Sequence, residues 1–210
     1  KGGLQPGDAL VLTKPIGTGT LLAAHMRAKA KARWVMAALT HMTVSNKQAA
    51  RVLREHGARA ATDVTGFGLL GHLVEMVRAS DVDVTLHLSD IPLLEGAREC
   101  VAAGIVSSLQ PQNVRLRRAI RNLAQTGDHP LLPLLFDPQT AGGLLAAVPA
   151  TNATQCVEKL RAGGYAHAAV IGSVAARGEA LEPITLELSS MCAGGIVPTP
   201  NAPAAAPALA

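Results

Sequence analysis

The sequence predicts an α+β domain: a mixed, largely antiparallel sheet covered on one face by helices. Three observations lead there. Short β-rich runs alternate with helical periods along most of the 210 residues. Several connections between those runs have the look of hairpins rather than crossovers, which argues against an all-parallel sheet. Only four aromatics, Trp34, Phe67, Phe136 and Tyr165, occur in a chain 49% hydrophobic and 16% charged, so Leu, Val, Ile and Ala must fill a core of closely packed helices on a sheet.

The first element is the compact β run Ala9 to Thr13, closed by the loop Lys14-Pro15-Ile16-Gly17-Thr18-Gly19-Thr20 and followed by a helix from Leu21 to about Ala30. Trp34 to Met42 reads as a second helix, and Ser45 caps a third whose Ala49, Val52 and Leu53 recur at helical spacing until Gly57. Ala58 to Thr62 is a strand leading through Asp63-Val64-Thr65-Gly66-Phe67-Gly68 into a helix. That helix is apolar at Leu69, Leu70, Leu73, Val74, Met76 and Val77, with His72, Glu75 and Arg78 on its polar side. Asp83 to Leu88 alternates as a half-buried strand, and Pro92 suits the first turn of a helix ending near Gly104. An arginine-rich stretch, Arg115 to Arg121, precedes Leu131–Phe136 and a second glycine loop, Asp137 to Gly143, which opens the strand Leu144 to Val148. Thr151 or Asn152 caps a helix through Arg161, and strands follow at His167–Val174 and Ile184–Leu188. Residues 1–188 form the expected domain, and the Ala/Pro-rich, uncharged residues 189–210 read as a disordered tail.

Composition excludes several classes. Cys100, Cys156 and Cys192 are widely spaced and form no zinc or disulfide pattern, so the two in helical periods are expected to be core residues. No stretch has the roughly 20 uninterrupted apolar residues of a membrane span. The opening residues do not read as a signal peptide, and they begin without Met, as a fragment would; the expectation is a cytoplasmic setting. Residues 15–60 carry eight Lys or Arg against the single acid Glu55, an asymmetry that invites an anionic partner, although solvated helix faces account for it more simply. The stacking platforms of single-strand nucleic-acid binders are missing, which weighs against a nucleic-acid surface, and a phosphate-bearing small molecule would explain the charge equally well.

Asp63 carries the most chemistry. A carboxylate at a strand end, followed by small residues and a helix start, can offer one ligand to magnesium and backbone N–H groups to a phosphate. As a lone carboxylate it reads equally well as a helix cap. Gly17 and Gly19 lack the rest of a phosphate-loop or dinucleotide fingerprint, and the Asp137–Gly143 loop reads first as a turn whose Thr140, Gln139 and glycine backbone could also meet an oxyanion. No GxSxG elbow or histidine cluster supports hydrolysis, and a solvated imidazole is the expectation for His72.

Three segments taken together resemble selenophosphate synthetase (selenide, water dikinase), of the superfamily of aminoimidazole ribonucleotide synthetase: Ala61 to Met76, Leu12 to Gly19, and Phe136 to Leu145. The resemblance spans roughly residues 12–175 and implies the C-terminal α+β half of an enzyme that makes selenophosphate, AMP and phosphate from ATP, selenide and water. It implies Mg2+ as cofactor with Asp63 as a ligand. Thr62, Thr65, Gly66, Gly68, Thr140, Gly142 and Gly143 are then the candidate nucleotide-binding residues, and no catalytic residue is assigned. The family's reactive Cys or selenocysteine and its remaining metal ligands belong to an N-terminal half not in this chain, so the chain alone is expected to be inactive and the complete enzyme a homodimer, with no nucleic-acid or membrane partner. Ala141 stands where the resemblance calls for serine, and Ser108 to Asn113 replaces a glycine-rich stretch. Rival readings are another kinase or synthetase of the same superfamily, or a non-catalytic binding or dimer-contact module.

Overall fold

The computed structural model describes residues 1–188; the expected tail, with Cys192, lies outside the described residues. In chain order the elements are β1 (Asp8–Leu12), α1 (Thr18–Met26), α2 (Ala32–Thr43), α3 (Lys47–Glu55), β2 (Ala60–Asp63), α4 (Gly68–Ser80), β3 (Val82–His87), α5 (Ala97–Ala102) and α6 (Gln110–Asn113). After a 3₁₀ segment, Val114–Ala119, come α7 (Leu123–Thr126), α8 (Leu132–Leu135), β4 (Leu144–Pro149), α9 (Ala150–Ala162), β5 (Ala169–Ala176) and β6 (Ile184–Glu187).

The six strands form one mixed sheet in the order β2-β4-β1-β5-β3-β6, antiparallel except for the parallel pair β3–β6. The α+β class holds, but no two consecutive strands pair, so the expected hairpins are absent among the described residues. Every connection crosses over. The shortest, from β5 to β6, passes the end of β3, where Val84 N–H donates to Pro183 O at 2.8 Å. Its brevity in sequence is what imitates a hairpin.

The main helical layer lies on one face, as expected, where Leu10, Leu12, Leu145, Val84 and Leu86 meet Leu69, Leu70, Leu73 and Met76 of α4. Half of the other face is covered too: Ala9, Val11, Ala146 and Val148 pack on Ala49, Val52 and Leu53 of α3 and on Cys156, Val157 and Leu160 of α9. β1 is therefore buried on both sides and reads as an uninterrupted apolar run. Over β5-β3-β6 the same face stays polar, with Thr85, His87, Thr185 and Glu187 half-buried.

Three boundaries differ from the sequence reading for tertiary reasons. Pro92 does not open a helix: Leu93 bridges Ile16 in parallel, and α5 starts only after Gly96 takes φ 85°. α1 begins three residues early, at Thr18, because its first N–H groups find acceptors on the distant Asp137–Gly143 loop. α9 begins at Ala150 rather than after a Thr151 or Asn152 cap, and the Asn152 amide is used to hold His56 O at 3.1 Å.

Candidate functional site

Three loops converge at one end of the sheet: Lys14–Gly17 after β1, Val64–Phe67 after β2, and Asp137–Gly143 before β4. Strand register brings them together, since Asp63 pairs with Leu144 and Thr13 N–H donates to Leu144 O at 3.0 Å. Val64 N–H then donates to Gly143 O at 2.9 Å, and Gln139 N–H to Thr65 O at 2.9 Å. The loops press together so closely that a Cβ on Gly142 would stand 2.1 Å from Val64 O, and one on Gly143 2.7 Å from Lys14 N. Glycine at both positions is a packing requirement.

A buried polar network fastens the first loop to the third. Gln139 Oε1 accepts from Gly17 N–H (2.9 Å), Thr18 N–H (3.2 Å) and Thr18 Oγ1 (3.2 Å). Gln139 Nε2 donates to Asp137 O (2.7 Å) and Oδ2 (3.0 Å), while Thr20 Oγ1 donates to Asp137 Oδ1 at 2.8 Å. Asp137 is fully buried, and that burial pushes its pKa up to about 6 against the opposing pull of the Thr20, Gln139 and Gly19 donors. Lys14 is also buried; its ammonium donates to Val44 O at 2.5 Å and Ala141 O at 3.2 Å, and desolvation lowers its pKa. Asn46 Nδ2 holds Gly142 O at 2.9 Å.

This network sorts the sequence candidates. Asp63 is exposed, and its carboxylate has no hydrogen-bond or ion-pair partner among the described residues, so it caps nothing. Gly66 lies open, Thr65 is half-buried and Thr140 exposed, with its N–H held by Thr18 Oγ1 at 2.9 Å. Thr62, Gly68, Gly142 and Gly143 are buried. Gly68 has φ 71° and a Cβ there would strike Phe136 at 2.8 Å. Four of the eight candidates thus shape the loops from within, Asp63, Gly66 and Thr140 are exposed, and Thr65 is half-buried.

His72 corrects the expectation of a solvated imidazole: it is 4% exposed, covered by the Phe67 ring at 5.6 Å and by Thr65, whose Oγ1 lies 3.1 Å from Nε2. Burial lowers its pKa. Sequence reading missed Lys14, Asn46, Asn113 and the Asp137–Gln139 lock; only the repeated polar residues within glycine loops hint at them. Asn113 Nδ2 donates to Gly66 O (2.8 Å) and Phe136 O (3.1 Å), tying the segment before the arginines to the Asp63 loop. Of those arginines, Arg121 is committed to Asp83 at 2.5 Å. Within 15–60, exposed Arg33 and Arg51 pair with Glu95 and Glu55, as solvated helix faces do.

A magnesium ion fits Asp63 as one arm of a site. Its exposed, unpartnered carboxylate is the hard oxygen donor that the ion prefers, and magnesium commonly takes one or two carboxylates beside waters and phosphate oxygens. Among the described residues no group of three His, Cys, Asp or Glu could complete a metal shell. No helix there is long and apolar enough to cross a membrane.

Comparison with known proteins agrees with this architecture. The chain is 39% identical over 187 residues to a selenide, water dikinase of Pelobacter propionicus, covering 89% of this chain and 53% of that protein. It is 36% identical over 180 residues to selenide, water dikinase 2 of Peptoclostridium acidaminophilum, covering 84% of this chain and 51% of that protein. The chain thus spans about half the length of these relatives. A crystal structure of the hydrogenase maturation protein HypE shares the fold, with a TM-score of 0.64 at 21% identity over 93% of this chain and 56% of that one. Residues 5–182 match the family described as AIR synthase related protein, C-terminal domain, and the chain belongs to that family.

Proposed function

We propose that residues 1–188 act as the C-terminal half of a selenide, water dikinase, converting ATP, selenide and water to selenophosphate, AMP and phosphate, and that this half contributes Asp63 to a magnesium–ATP site. One observation carries the reading. In a chain 39% identical to a dikinase, the carboxylate at the β2 end stands exposed and unpartnered while every neighbouring loop is locked by internal hydrogen bonds. Such a group is preorganised for a ligand that the chain itself does not supply. Bound there, magnesium would neutralise phosphate oxygens and orient the transferring group. Asp63 holds the cation side of that arrangement, and the open Gly66 backbone and Thr140 hydroxyl face the nucleotide. Thr62, Gly68, Gly142 and Gly143 support these groups by letting the loops approach.

Asp63→Asn in the protein that joins this chain to its N-terminal partner half should lower selenide-dependent AMP formation by at least about 100-fold, the upper end of what losing even an outer-shell metal partner costs. Unfolding stability should stay within about 0.5 kcal/mol, because the exposed carboxylate makes no hydrogen bond or ion pair among the described residues. AMP formation at the parent rate would refute the assignment.

A further inference from the structure

Behind the Asp63 loop, Thr65, His72 and Glu75 form a chain of contacts. Thr65 Oγ1 lies 3.1 Å from His72 Nε2, and His72 Nδ1 lies 3.3 Å from Glu75 Oε2, which also accepts from Lys1 Nζ at 2.7 Å. The imidazole is buried and its Nδ1 has no aligned hydrogen-bond partner, so its contact with Glu75 is electrostatic. A neutral imidazole has one donor and one acceptor nitrogen, and an ionised carboxylate is acceptor only. The Lys1 ammonium holds Glu75 ionised. A lone pair on Nδ1 facing that carboxylate would be repelled, so the ring proton belongs on Nδ1 and the lone pair on Nε2. The hydrogen between Nε2 and Thr65 must then be the hydroxyl's own. Burial disfavours the doubly protonated ring that would reverse this bond.

A hydroxyl whose hydrogen is committed has only lone pairs left to offer a ligand. It can meet a cation, or a water held by a cation, but it cannot donate to a phosphate oxygen. We propose that His72, backed by Glu75, is a positioning residue that makes Thr65 an acceptor-only group, placing Thr65 beside Asp63 on the hydrated-cation side of the site rather than on the phosphate side. This rests on the reading of Asp63 as a metal carboxylate, which the experiment separates from it.

Long-range 1H–15N correlation on the labelled chain reads the tautomer directly. The expected spectrum has a protonated Nδ1 and an unprotonated Nε2 on His72; a proton on Nε2 overturns the proposal. Glu75→Leu removes the carboxylate that holds the proton on Nδ1, so the Nε2–H form, which can donate to Thr65 Oγ1, should become the major one; an unchanged tautomer also overturns it. Manganese(II) without nucleotide then serves as probe. Its relaxation effect should broaden Asp63 and Thr65, vanish in Asp63→Asn, and need about 10-fold more manganese in Glu75→Leu, within the range for loss of an outer-shell partner. Broadening at Asp63 with an Nε2–H tautomer would sink the His72 role and keep the metal reading. The expected tautomer with no broadening at Asp63 would sink the metal reading, and the ligand assignment of Thr65 with it.

Discussion

At position 141 the chain holds alanine at φ 49°, in the left-handed region, exposed at the crest of the third loop. For an L-residue with a Cβ that conformation costs roughly 1–2 kcal/mol, and the Lys14 ammonium on Ala141 O fixes the backbone that imposes it. Glycine would relieve the strain but lose about 0.5–1 kcal/mol of unfolded-chain entropy. Ala141→Gly should therefore gain about 0.5 kcal/mol, read as a higher denaturant midpoint at constant slope; a lower midpoint would show that the turn is not strained. No sequence period marks such a residue. The same blindness applies to His72, since helical spacing places it with Glu75 and Arg78 on the polar side and says nothing of the Phe67 ring that folds back over it. Asp63 stands out in sequence because the strand end and the glycine turn that flank it are adjacent in the chain, but the partners that hold that turn, Leu144, Gly143, Gln139 and Asn113, are distant and carry no sequence mark.

Elements whose ends are closed locally are readable in the sequence, and those closed from afar are not. α4, bounded by Gly68 and a left-handed Asp81, falls where the apolar period places it. α1 does not, because Asp137 and Gln139, more than a hundred residues on, receive its first N–H groups. Pro92 has the local features of a helix start, but a β-bridge to Ile16 claims its neighbour. The Asp137 cap has a measurable consequence. Its pKa is raised from 3.8 to about 6, so the folded protein binds that proton more tightly than the unfolded chain does. Its contribution to stability is therefore complete below pH 4 and is lost as pH rises to about 6, a change of about 3 kcal/mol. Asp137→Asn keeps the shape and removes the titration. The stability advantage of the parent over this variant should shrink by about that amount between pH 4 and pH 7 in urea unfolding, and a difference independent of pH would mean that the carboxyl is not desolvated as the structure has it.

Across the whole molecule the sheet is unevenly clothed, and the candidate site lies at its better-clothed end. β4 and β1 have helices on both faces, which fixes two of the three loop mouths, and β2 is fixed through its pairing with β4 while its Ala61 and Asp63 stay exposed; β5, β3 and β6 leave a polar half-face open. The mixed sheet could be anticipated from short strands; its crossover order could not, because strand pairing is set by which helix fills which face and not by the length of a connection. Rigid mouths explain how one carboxylate can be held ready, but one carboxylate is little. Among the described residues no metal-binding group of acids forms around Asp63, and the nearby buried Lys14 spends two of its three donors on Val44 O and Ala141 O. Binding of magnesium–ATP to the chain by itself must then rest on a single ion contact and a few backbone groups, too little to exceed about 4 kcal/mol, which corresponds to a Kd of about 1 mM. Calorimetric titration of magnesium–ATP into the chain should give a Kd no tighter than that, and Asp63→Asn should weaken it further. A Kd in the micromolar range would mean that this half holds a self-sufficient nucleotide site, and the proposed division of labour with a second half would fail.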